Sequence, residues 1–121
     1  MPDIFNYYNP ETDQLDVYLR SGFFDLEQID NSIWFYRRRR SREILGLRMA
    51  QVSKFLQRTT RVLPGFKDEI VDGVVRLEKL LLAALWMSDN QENHEAYRAL
   101  VNMAKKYDIV VEIDPKQLKF Y

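Results

Sequence analysis

The sequence predicts an α+β domain: an N-terminal antiparallel β-meander of about five strands followed by a helix, then a helical pair and a C-terminal strand. Three observations carry this expectation. Residues 14–20 alternate, with Leu15, Val17 and Leu19 on one side and Asp16, Tyr18 and Arg20 on the other, which is the two-residue period of a half-buried strand. After Arg48 the apolar spacing changes to three and four, the period of an amphipathic helix. Near the other end Ile109, Val111 and Ile113 return to alternation. With 121 residues, 46% hydrophobic and 30% charged, the chain is long enough to bury about two-thirds of the surface its unfolded form exposes. Residues 1–121 therefore read as one domain, with residues 1–63 forming sheet plus helix and residues 66–121 a helix-helix-strand extension beyond the Pro64-Gly65 seam.

Residues 4–8 are rich in strand formers and stop at Asn9-Pro10-Glu11-Thr12-Asp13, where proline fixes φ and the Asn and Asp side chains bond to nearby backbone. After the second strand, Ser21-Gly22 breaks the pattern, and residues 23–28 supply a third. Asp30-Asn31-Ser32 turns into Ile33-Trp34-Phe35-Tyr36. Four bulky residues in succession point to both faces of a sheet, so this strand is expected to be apolar on both sides and interior. Residues 37–42 hold five arginines and must form a strand end or connection, since so many charges cannot be buried together. Residues 43–47 are the fifth strand, in which Gly46 marks a close approach or a bulge. Met49, Val52, Phe55 and Leu56 then recur at helical spacing until Leu63-Pro64-Gly65 ends the helix.

In the second half, Ile70, Val74, Leu77, Leu81 and Leu85 step by three or four, predicting a helix over residues 66–87 that Gly73 weakens by about 1 kcal/mol relative to alanine. Residues 80–87 have no polar face and require cover on several sides. Ser88 to Gln91 and Asp89 to Glu92 have capping-box spacing, so a further helix is expected there, carrying Tyr97, Leu100, Val101 and Ala104 inward and ending near Lys105-Lys106. Residues 109–113 form the closing strand, and Leu118 and Phe120 are expected to pair back as a short final one.

Two stretches also carry a likeness. Tyr8-Asn9-Pro10-Glu11-Thr12-Asp13-Gln14-Leu15-Asp16-Val17, and Ile44-Leu45-Gly46-Leu47 with Ser53, Lys54 and Leu56, resemble the opening hairpin and the closing strand and helix start of the family of small bacterial proteins called domain of unknown function 2283. The likeness covers roughly the first half of the chain. It implies a few strands plus a helix and no established activity. This chain departs from the family pattern at Arg37, Arg38, Arg39 and Arg40, where the family has an acidic or glycine-containing turn, and it adds a second half beyond the family's core.

Net charge is zero, but its distribution is uneven: −6 over residues 1–36, +8 over residues 37–61 and −2 over the remainder. Without cysteine there is neither disulfide nor thiolate chemistry. The start MPDIFNYY lacks a basic stretch followed by an apolar one, and no apolar run approaches the roughly 20 residues that cross a bilayer, so a cytoplasmic protein without membrane contact is expected. The only histidine, His94, begins His-Glu-Ala-Tyr-Arg, in which Arg98 occupies the position where a zinc helix needs its second ligand. Asp68-Glu69 and Asp89 with Glu92 fall at expected helix starts, where the helix dipole accounts for them. No phosphate-binding glycine loop and no Gly-x-Ser-x-Gly elbow is present, so no catalytic residue, cofactor or metal is expected.

Two surfaces remain as candidates. Trp34 and Tyr36 on the doubly apolar strand, with Leu80, Leu82, Leu85 and Trp86 on the all-apolar helix segment, ask for more cover than a small domain provides, and a homo-oligomer supplies it. Arg37, Arg38, Arg39, Arg40, Arg48, Lys54, Arg58 and Arg61 beside aromatic residues have the composition of a nucleic-acid or anion contact. Against that contact, strand alternation sends successive arginines to opposite faces, and Asp13, Asp16, Asp25, Glu27 or Asp30 can neutralise them. The expected role is a non-catalytic interaction or regulatory subunit, homo-oligomeric, with a nucleic-acid-binding regulator as the alternative.

Overall fold

The structure, a computed structural model, describes residues 4–88 and 91–113. The five antiparallel strands expected from the sequence are present: β1 (Phe5–Asn9), β2 (Gln14–Tyr18), β3 (Phe24–Asp30), β4 (Ile33–Arg38) and β5 (Ile44–Met49). Their spatial order is β1-β2-β5-β4-β3. The β1–β2 hairpin and the β3-β4-β5 unit are each formed by neighbours in sequence, and β5 joins them by pairing with β2. The doubly apolar β4 is interior, between β3 and β5.

Antiparallel partners point to the same side of a sheet, so the register fixes the two faces. Leu15, Met49 and Ile33 lie on one row, and Val17, Leu47 and Phe35 on the next. All six are buried, and the helices pack on this side. These are α1 (Val52–Val62), α2 (Leu77–Met87) and α3 (His94–Lys106), which contribute Leu56, Leu80, Leu81, Tyr97 and Leu100 to one core. The Phe35 and Tyr97 rings meet edge to face at 5.3 Å.

Helix α1 is tied to the first hairpin by a remote cap. Asp13, at φ 55 in the β1–β2 turn, accepts hydrogen bonds from the Ser53 backbone N–H (3.1 Å) and hydroxyl and from the Tyr8 hydroxyl. Its backbone carbonyl accepts from the Val52 N–H at 3.1 Å. The first N–H groups of a helix lack intrahelical partners, and here a carboxylate about 40 positions away in sequence satisfies them.

The helix expected over residues 66–87 begins only at Leu77. Residues Pro64–Glu69 form a 3-10 turn, and Asp72 (φ 53) and Gly73 (φ 78) make a two-residue hairpin loop, across which Val71 and Val74 exchange backbone hydrogen bonds of 2.9 and 3.0 Å. Asp-Gly is the dipeptide that suits two consecutive positive φ angles, and here it outweighs an apolar spacing that also fits a helix. Strand β6 (Val74–Arg76) then pairs with β7 (Val110–Glu112), which lies beside β1, where the Asn6 amide donates to the Val110 carbonyl at 3.2 Å. Helix α3 begins at His94, later than the capping-box spacings place it; its N-cap residue, Asn93, makes no side-chain cap bond, and the Ser88 hydroxyl donates to Asp30 (3.2 Å). Asp89, Leu118 and Phe120 lie outside the described residues. Among the described residues no helix is long and apolar enough to cross a membrane.

Candidate interaction face

With the helices on one side of the sheet, the other side carries two cross-strand rows on which no described element packs. One row runs Phe5, Tyr18, Gly46, Tyr36, Leu26 across β1, β2, β5, β4 and β3. The next runs Tyr7, Asp16, Arg48, Trp34, Gln28. At the sheet edges Phe5 is 57% exposed, Tyr7 53% and Leu26 47%, and Phe24 joins them at the β3 end.

Gly46 organises the first row. A Cβ there would lie 2.0 Å from the Val17 carbonyl oxygen, so β2 and β5 approach more closely than any side chain allows. The register also shifts between Tyr36 and Arg37, leaving one extra residue on β5 beside the glycine. Both features expected at Gly46 are present. The missing side chain has a further effect: Tyr18 and Tyr36, from strands on either side of β5, lean over the gap and stack at 4.9 Å with 10° between their planes. Phe24 packs on Tyr36 at 4.6 Å and Phe5 lies 6.2 Å from Tyr18, so a chain of four rings crosses the sheet.

A polar cluster supports the second row. Asp16 accepts from the Tyr36 hydroxyl, from Arg48 Nε at 2.9 Å and from the Gln14 amide at 3.0 Å. Burial opposes ionisation of this carboxyl, but the three donors together outweigh it and hold its pKa below the usual value. Burial, then the bond to Asp16, pushes the Tyr36 hydroxyl well above the ordinary tyrosine range. The bond to Asp16 likewise keeps Arg48 firmly protonated. The centre of the face is thus a neutral, internally bonded pair between aromatic edges.

The candidate residues from the sequence divide among several places. Trp34 and Tyr36 belong to this face, Trp34 half-buried and Tyr36 sealed beneath Tyr18 and Phe24. Leu80 is buried in the core and offers no surface to a second molecule, while Leu85 is partly buried against that core. Leu82 and Trp86, one helical turn apart, do project outward from α2, Trp86 at 63% exposure, because the core takes only the opposite side of that helix. The six residues therefore do not form one surface.

The basic island is also split. Arg37 lies 3.0 Å from Glu27, Arg39 3.2 Å from Asp25 and Arg38 3.4 Å from Glu43, while Arg42 reaches both Asp25 and Glu27. Among the described residues Arg40, Lys54, Arg58 and Arg61 have no ion pair, but the last three are on α1, which starts beside Met49 and thus at the Ile33 end of β4. Arg37 to Arg40 are at the other end, about 13 Å away along the strand. Asp25 and Glu27 of β3, with Glu43, thus pair four of the five arginines in residues 37–42.

Phe5, Tyr7, Tyr18, Phe24 and Leu26 were not singled out by the sequence. Their signal was there in the alternation of Phe5 and Tyr7 with Asn6 and Tyr8, and of Phe24 and Leu26 with Asp25 and Glu27. An open groove of about 1330 Å³ also lies between the β3–β4 turn, α1 and the end of α2. Asp30 and Glu92 line it, and Asp30 already accepts from the hydroxyls of Ser88 and Tyr97. Among the described residues no cluster of three or more His, Cys, Asp or Glu side chains could hold a metal. No protein-family model, curated protein or solved structure matches this chain.

Proposed function

We propose that the protein is a non-catalytic interaction subunit whose working surface is the helix-free face of its five-stranded sheet. The observation that carries this is the cross-strand aromatic row with its exposed ends, Phe5, Tyr7, Phe24 and Leu26, on a side that no described element packs against. Exposed apolar and aromatic side chains gathered on one face mark a protein contact, and the charged pair among them is satisfied internally. The acids that could otherwise serve chemistry have structural duties: Asp13 caps α1, Asp16 anchors Arg48 and Tyr36, and Asp30 holds Tyr97. A relationship of the first half to the family it resembles is part of the same reading, supported by the bond between Asp13 and Ser53, two residues on which the resemblance rests.

The test is recovery from native cell extract with the tagged chain and a Phe5→Asp, Tyr7→Glu variant. The unaltered chain retains an associated polypeptide, its own or another, and the variant loses it while keeping the same circular dichroism spectrum. Equal recovery by both, or none by either, would refute the reading.

A further inference from the structure

From one sheet edge to the other the first row reads apolar, tyrosine, glycine, tyrosine, apolar: Phe5, Tyr18, Gly46, Tyr36, Leu26. In chemical kind it is the same in both directions. That is the requirement of an isologous contact, in which each residue meets whatever lies at the same distance on the far side of the axis. Given that the face is an interaction surface, as argued above, we propose that its occupant is a second copy of this chain, packed sheet to sheet about a two-fold axis that runs along β5 beside Gly46. Strand β1 of each copy then lies over β3 of the other, Phe5 opposite Leu26 and Tyr18 over β4, where Phe24 covers Tyr36.

Area and charge both fit. Five strands about 4.8 Å apart and about 20 Å long offer on the order of 450 Å² in projection, and the relief of the side chains takes the accessible surface toward the roughly 800 Å² per partner of a stable complex. Inner faces of paired sheets interdigitate across about 10 Å, which accommodates two layers of rings. The face has little net charge to repel its own copy: Arg48 is paired with Asp16 at 2.9 Å, and Glu43 offsets one of the two charges of Arg20 and Arg38. The same pairing removes the phosphate track that single-stranded nucleic acid would need beside the rings.

The experiment is sedimentation equilibrium of the full chain at micromolar concentration, joined to cross-linking. The expected mass is twice 14.5 kDa. Leu26→Arg and Tyr7→Glu each return it to the single-chain mass with an unchanged far-ultraviolet spectrum, while Trp86→Ser on α2 leaves it doubled. The chain has no cysteine, so Phe5→Cys and Leu26→Cys introduce unique thiols. Strands β1 and β3 are about 19 Å apart, and a bismaleimide too short for that span joins the two variants when they are mixed and neither to itself. A single-chain mass at every concentration overturns the proposal, as does a dimer that survives both face variants but is broken by Trp86→Ser. Salt-sensitive binding of labelled oligothymidylate to a monomer, lost in the face variants, gives the face to nucleic acid and also overturns it. A monomer whose face variants lose a different captured protein overturns the dimer alone and leaves the interaction reading standing.

Discussion

Gly46→Ala is the sharpest test of how this sheet is built. The added Cβ would sit 2.0 Å from the Val17 carbonyl oxygen and 3.1 Å from the Tyr18 Cα, and both contacts are to backbone, which cannot rotate away. Strand β2 must therefore withdraw by more than about 1 Å, weakening the neighbouring β2–β5 rungs at about 1 kcal/mol each and adding an overpacking strain of about 1–3 kcal/mol. The sum is about 3–4 kcal/mol, a large share of a small domain's stability, and it corresponds to a fall in Tm of about 10–15 °C for a chain of this size. Thermal and urea unfolding followed by circular dichroism measure it. Gly65→Ala is the control, because nothing lies within 4 Å of a Cβ there, and it should stay within about 0.5 kcal/mol of the parent. A Gly46→Ala variant within about 1 kcal/mol of the parent would refute the claim that the β2–β5 spacing depends on the missing side chain.

Three further outcomes are expected. Asp13→Ala removes the remote cap of α1 and leaves alanine at φ 55, lowering stability by about 2 kcal/mol, whereas Asp13→Asn, which tolerates that φ and keeps one acceptor, loses less; urea unfolding separates them. In a spectrophotometric alkaline titration, a step worth at least two of the seven tyrosines should wait for unfolding, since Tyr36 and Tyr97 have raised pKa values and are shielded by burial, then by bonds to Asp16 and Asp30. Because the unfolded forms ionise first, stability falls as pH rises above 10, and Tyr36→Phe and Tyr97→Phe should each remove one tyrosine from the late step. At the acid end, the lowered pKa of Asp16 gives stability that is present above its unfolded value of 3.8 and lost as pH falls through the lower folded one. Asp16→Asn should flatten the urea-midpoint profile below pH 4, and an unchanged profile would count against the cluster.

The first half of the fold was legible because its signals are local. Alternation in Leu15, Val17 and Leu19, the Asn9-Pro10 turn and the change of period after Arg48 are each contained within a few residues. The Asp72-Gly73 hairpin was equally local, but Ile70, Val74, Leu77 and Leu81 also satisfy a helical spacing, and the longer pattern prevailed over the turn dipeptide. The interaction face could not be read in the same way. Which ring sits beside which depends on β5 pairing between β2 and β4, a long-range choice. Gly46 announced a close approach, yet that it would let Tyr18 and Tyr36 touch follows only from the strand order. The arginines show the converse: the pairing of Arg37, Arg39 and Arg42 with Asp25 and Glu27 was legible in the excess of acids upstream.

The short passage from β2 to β3 crosses from the inner part of the sheet to its far edge; Ser21 and Gly22 are exposed and lie outside the ladder, to which Phe23 adds one bond, its carbonyl accepting from the Arg39 N–H at 3.3 Å. Severing the chain between Ser21 and Gly22 would interrupt no strand, and all four seams of the sheet would remain available. Because the β2–β5 seam alone joins the opening hairpin to the other strands of the sheet, the two pieces make a natural pair for fragment complementation. Separately expressed, they would report by their reassociation on the β2–β5 pairing together with the Asp13 cap of α1 and the packing of Leu15 and Val17 in the core.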